Sequence, residues 1–140
     1  MTGAEDLSAD VRALLHEHIE TYEQLEVLLL LRRERHEQWT VDALATRLHV
    51  RAELIGSALD RLEAAGLVLA TGAAAASRYA YRPVSSGLEA ATGRLDREYA
   101  ERPLRIIQLM SANAIDRVRT AALHTFADAF VLKKKEDDRG

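Results

Sequence analysis

The apolar residues between Ala52 and Tyr81 change their spacing once, at Gly66, and that change restricts the fold more than any other feature of the chain. Before the glycine, Leu54, Ile55, Ala58, Leu59 and Leu62 recur every three to four residues, the period of a helix with one buried face. After it, Leu67-Val68-Leu69 and Tyr79-Ala80-Tyr81 are short strand-like runs. Gly66 stands where a helix ends in a left-handed residue, a conformation glycine adopts without penalty. Thr71 to Ser77, with its four alanines, becomes the long soft tip of a hairpin. Upstream, Thr40 can cap a shorter helix by accepting an orphaned backbone N–H, and Asp42 in its first turn complements the helix dipole. Leu44, Ala45 and Leu48 form its apolar side. His49 is read as the turn residue before Val50, tolerating an unusual backbone conformation. Trp39 to Pro83 therefore reads as helix, turn, helix and hairpin.

That order resembles a winged helix-turn-helix domain. The phrase Leu59-Asp60-Arg61-Leu62-Glu63-Ala64-Ala65-Gly66-Leu67-Val68 is similar to the L-x-x-L-x-x-x-G-L-V exit of many bacterial winged-helix regulators. On this resemblance Trp39 to Val41 supply a short first strand and the start of the second core helix. Ala45 is the small residue at the helix crossing, and Leu48, Val50, Ile55 and Leu59 anchor the turn and the recognition helix. The fold class it implies is mainly α with a small β-hairpin wing, flanked by N- and C-terminal helices. Winged helices also serve as protein-binding modules, so the fold does not by itself fix the task.

The flanks carry helices of their own. Ser8 is a candidate cap for a helix over Leu7 to Ile19, with Val11, Leu14, Leu15, His18 and Ile19 as its stripe. Thr21 and Gln24 match a capping box that starts a second helix, expected to run to about Glu37. Its run Val27–Leu31 is apolar nearly all round and predicts a central position. Arg32, Arg33 and Arg35 read as solvated cations favoured by the helix dipole. After Pro83, Ser86-Gly87-Leu88-Glu89 suggests another capping box, opening a helix with Leu88, Ala91, Leu95 and Tyr99. Pro103 breaks that helix and suits the start of the next. Leu104 to Met110 is read as a short helix or, given its two isoleucines, a strand, with helix preferred, and Asn113 with Asp116 as the cap of a last helix carrying Ile115, Val118, Ala122, Phe126, Ala129 and Phe130. The segments are 7-38, 39-83, 84-131 and a tail, 132-140, expected to fray.

Composition excludes several chemistries. At 140 residues the chain has the length of one domain, and it can build a core without disulfides or metals. Without cysteine there is no disulfide scaffold, thiolate metal site or cysteine nucleophile. The five histidines are scattered; His16 and His18, two apart, point to different sides of a helix, and no H-E-x-x-H spacing occurs. No nucleophile–base pair or glycine-rich phosphate loop appears, so no enzyme, metal or cofactor is expected. Met1 to Asp10 is small and acidic, unlike a secretory leader, and Val27–Leu31 is far too short to span a bilayer. The expected location is cytoplasmic.

The resemblance to MarR-like bacterial regulators implies a homodimer joined through its terminal helices, with two recognition helices on double-stranded DNA. In that setting Arg51 and Ser57 lead in the major groove, while Arg47, Arg61 and Arg78 are phosphate contacts that position without specifying. Gly56, costing about 1 kcal/mol against alanine within a helix, leaves room for a close approach from outside or for a neighbouring helix. Charge opposes this function. The net charge is −3, and Trp39 to Pro83 sets five arginines against four carboxylates. A wing that grips DNA offers Arg or Lys at its tip; this tip offers alanine, leaving Arg78 and Arg82 as its phosphate candidates. The alternative is an adaptor, a winged-helix protein–protein interaction module that has lost DNA binding.

Overall fold

A computed structural model describes residues 7–73 and 76–139, with side chains placed as far as Val131. Several helix ends have a local cause, though not the start of the first. In α1 (Ala9–Glu17) Ser8 holds the cap position but bonds elsewhere: its hydroxyl donates to Glu98 Oε2 at 2.7 Å and its N–H to Glu98 Oε1 at 3.0 Å. α2 (Tyr22–Arg33) starts on the expected box, with Gln24 N–H donating to Thr21 Oγ1 at 3.2 Å and Gln24 Oε1 accepting from Glu20 N–H at 2.6 Å. It stops four residues short of Glu37. Leu31 is its last apolar side chain, and the chain must unwind so that Trp39 can bridge to Tyr79.

Thr40 caps α3 (Val41–Leu48), its Oγ1 accepting from Ala43 N–H at 3.1 Å. His49 closes α3 in the left-handed region (φ 57°, ψ 42°) and delivers the chain to α4 (Ala52–Ala64). Gly66 then takes φ 79° as expected, and β1 (Val68–Thr71) pairs antiparallel with β2 (Arg78–Tyr81) in the register Val68 to Tyr81 and Thr71 to Arg78. Ala74 and Ala75 of the predicted soft tip lie outside the described residues.

Two expectations beyond the wing need correction. The cap of α5 (Ser86–Glu101) is Ser85, whose Oγ accepts from Leu88 N–H at 3.1 Å, so the box read at Ser86 does not form. Glu89 is thereby freed for longer-range contacts. Leu104 to Met110 is helical, but Asn113 caps nothing: α6 is continuous over Pro103–Arg139. No glycine or proline falls between Leu104 and Arg139, and a capping side chain alone does not interrupt a helix. The side chains of the tail expected to fray lie outside the described residues.

The chain divides into two compact units, Met1–Met110 and Ser111–Gly140. Within the first, α2 lies at the centre with Leu25, Val27, Leu28, Leu29 and Leu31 all buried, as its apolar run predicts. It packs on α4, α3 and the hairpin, α3 packs on α4, and α1 on α5. Among the described residues, six helices and a two-stranded hairpin in this order make a winged helix-turn-helix with flanking helices. The second unit is helix alone. Its described face exposes Ile115, Val118, Leu123, Phe126 and Phe130, with the two phenylalanine rings stacked 6.5 Å apart.

Candidate nucleic-acid interface

α4 is fixed by its inner stripe, Ile55, Ala58, Leu59 and Leu62, each at most 2 % exposed. That burial turns Glu53, Ser57 and Asp60 to the outside. Arg51 occupies the N-cap position, extended at φ −62°, and its exposed side chain makes no capping bond and has no ion-pair partner among the described residues. Ser57 is exposed two turns into the same helix.

The other cations expected here differ in their freedom. Arg47 is exposed at the end of α3, yet its guanidinium lies 5.9 Å from the centre of the Trp39 ring and 3.9 Å from Glu34. Both contacts are weak enough for solvent or an anion to compete. Arg61 is more firmly held: its Nη1 lies 3.1 Å from Glu20 Oε1, at a cleft of about 420 Å³ lined also by Glu17, His18 and Asp60. Arg78 is exposed on β2 opposite Thr71, and Arg82 is exposed just past the strand. Gly72, Ala73 and Ala76 bring no cation to the wing.

One feature of the site escaped sequence reasoning, and a second was left with two readings. Leu54, assigned to the buried stripe, is 38 % exposed and belongs to the outer shoulder of α4. Spacing alone could not find it, because Leu54 and Ile55 are neighbours and either fits the edge of the apolar arc. Gly56 is the second. A Cβ built there meets nothing within 4 Å, so no neighbouring helix requires the glycine.

The arginines ending α2 are a correction. They are ion-paired rather than free, clamping α2 onto α5 and the wing, although solvent still reaches Arg33 and Arg35. Asp96 accepts from Arg32 Nη1 at 3.1 Å and from Arg33 Nη2 at 2.8 Å. Glu89 lies 3.5 Å from Arg35 and 3.8 Å from Arg32, and it accepts the Tyr81 hydroxyl. Arg35 in turn lies 5.6 Å from the Tyr81 ring centre. Burial first, and then the bond to Glu89, push the Tyr81 hydroxyl up to about 12. Glu89 and Asp96 are seven residues apart, two helical turns, so both meet the end of α2 from one face of α5. Gly93 between them admits Arg32: a Cβ there would lie 3.0 Å from its Nη2.

No three His, Asp or Glu side chains among the described residues come together as a metal site, and no described helix is long and apolar enough to cross a membrane. No family model and no curated protein matches the chain. Among solved structures it is similar to the crystal structure of the adhesin competence repressor AdcR from Streptococcus pyogenes, at 17% identity over 84% of this chain and 87% of that one, with a TM-score of 0.45. The winged-helix assignment rests on the chain's own elements.

Proposed function

We propose that this chain is a DNA-binding transcriptional regulator of the MarR-like kind, acting as a homodimer through its terminal helices. The observation that carries the reading is Arg51. Whereas Arg47 and Arg61 are ion-paired, this side chain has no ion-pair partner among the described residues and stands at the start of the helix that would enter the major groove. Ser57 follows on the same helix, and Arg78 and Arg82 supply the wing side with phosphate contacts. Arg47 joins them when an anion outcompetes Glu34, whereas Arg61 must first leave Glu20. The exposed apolar residues of α6, among them Phe126 and Phe130, support pairing with a second copy.

The second reading, an adaptor without DNA binding, draws support from Glu53, Asp60 and Glu63, all exposed on α4. Fluorescence anisotropy with a mixed-sequence duplex, titrated across salt concentrations, separates the two. With Arg78 and Arg82 on phosphates, the slope of log K against log salt is expected to be about −2 per protomer, and about −3 where Arg47 joins them. Arg51→Ala is expected to weaken binding to a preferred sequence by about 1–3 kcal/mol. No binding at low salt replaces the regulator with the adaptor, and an unchanged affinity in the Arg51 variant removes that residue from the interface.

A further inference from the structure

A partly exposed leucine and an unexplained glycine share the first two turns of α4, on either side of the stripe that serves the interior. Ile55, Ala58, Leu59 and Leu62 already fill the stripe facing the core. At about 100° per residue, Glu53 and Ser57 lie opposite that stripe, while Leu54 and Gly56 stand on its two shoulders. Leu54 leaves 38 % of itself in water one turn after Arg51 and one turn before Ser57. Gly56 weakens the helix, since an alanine there would be a better helix former and would touch nothing within 4 Å. The space beside Gly56 is open to the outside.

We propose that Leu54 is a base-reading residue that packs on the C5-methyl group of a thymine, with the bare backbone at Gly56 letting α4 settle deep enough for that contact. This rests on the DNA-binding reading above and assigns part of its specificity. The charges around Leu54 favour base edges over phosphates. Glu53 and Asp60 on the same outward face repel the phosphate ridge, whereas a carboxylate at the groove floor can accept from a cytosine amino group. Thymine is the one base that offers an apolar group in the major groove, and an aliphatic side chain is its fitting partner. Arg51 then supplies a polar contact on one side of Leu54 and Ser57 on the other, so the preferred sequence combines a guanine with a neighbouring thymine.

The test uses the full chain and a preferred duplex selected from a randomised pool. Each thymidine of that duplex is replaced in turn by deoxyuridine, which removes only the methyl group. One position per half-site is expected to lose about fourfold in affinity, the worth of one methyl group taken from water. Leu54→Ala is expected to bind the thymidine and deoxyuridine duplexes equally. Gly56→Ala is expected to raise the melting temperature by about 3–5 °C while weakening duplex binding at least tenfold, a pairing of effects that a purely structural glycine would not give. Indifference to deoxyuridine at every position, discrimination retained by Leu54→Ala, or full affinity in Gly56→Ala overturns the inference while leaving DNA binding in place. Failure of the unaltered chain to retain any duplex at low salt overturns the DNA-binding reading with it.

Discussion

At the sharpest bend of the helix-turn-helix a histidine holds a conformation that suits glycine. His49 sits at φ 57° and ψ 42°, and its N–H donates to Ala45 O as α3 ends. A left-handed conformation costs an L-residue about 1–2 kcal/mol. His49→Gly is therefore expected to stabilise the fold by about 1 kcal/mol, read as a higher urea midpoint with an unchanged slope. A lower midpoint would mean that the imidazole itself contributes to the turn. This residue was legible in the sequence because a turn must fall between two amphipathic runs, and His49 directly follows Leu48, the last apolar position of the first. Gly66 was legible for the same reason, since helical spacing stops at it. Leu54 was not: at the edge of an apolar arc, spacing gives no sign of which of two adjacent residues the neighbouring elements cover. Gly56 could be noticed but not interpreted, because only its surroundings tell a packing glycine from an exposed one.

Beside the apolar core, one polar clamp joins the end of α2 to α5 and the wing. Asp96 is 16 % exposed and binds two arginines from α2, so Asp96→Asn leaves Arg32, itself only 22 % exposed, with Glu89 at 3.8 Å as its remaining counter-charge. That substitution is expected to cost about 1–3 kcal/mol in chemical denaturation, below the cost of breaking a fully buried pair because solvent reaches Arg33. Loss of less than about 0.3 kcal/mol would reduce the clamp to an ordinary surface pair. The same cluster sets an alkaline limit. Tyr81 ionises at 10.0 in an unfolded chain and at about 12 here, so its contribution is complete below pH 10 and is lost as pH rises toward 12. Burial moves Tyr99 upward as well, reinforced by bonds with Tyr22 and Glu26. Thermal melts at stepped pH are expected to show this decline, and Tyr81→Phe to flatten part of it. An unaltered profile in that variant would shift the effect to Tyr99. None of this was visible from the run of arginines, which by charge alone suits a solvated helix end equally well. The partners arrive from α5, more than fifty residues later.

For the whole molecule, the apolar surface of α6 bears on assembly. If two copies pair through it, Phe126→Glu together with Phe130→Glu is expected to shift the sedimenting species from dimer to monomer at micromolar concentration. A monomer in the unaltered protein would remove the homodimer from the proposal. The winged-helix core was legible because its helices and hairpin follow one another directly, so each boundary is marked by a local signal. The continuity of α6 was less so, since Asn113 carries the same capping chemistry inside a helix as at its start. One further consequence follows from Arg47 resting on Trp39, the chain's single tryptophan. The protein carries an optical label in its own sequence. An anion that draws the guanidinium off the indole changes the polarity around the one fluorophore excited at the red edge of protein absorption. Emission from unmodified protein can then time the arrival of a polyanion, and an Arg47→Ala control identifies how much of the signal comes from that departure.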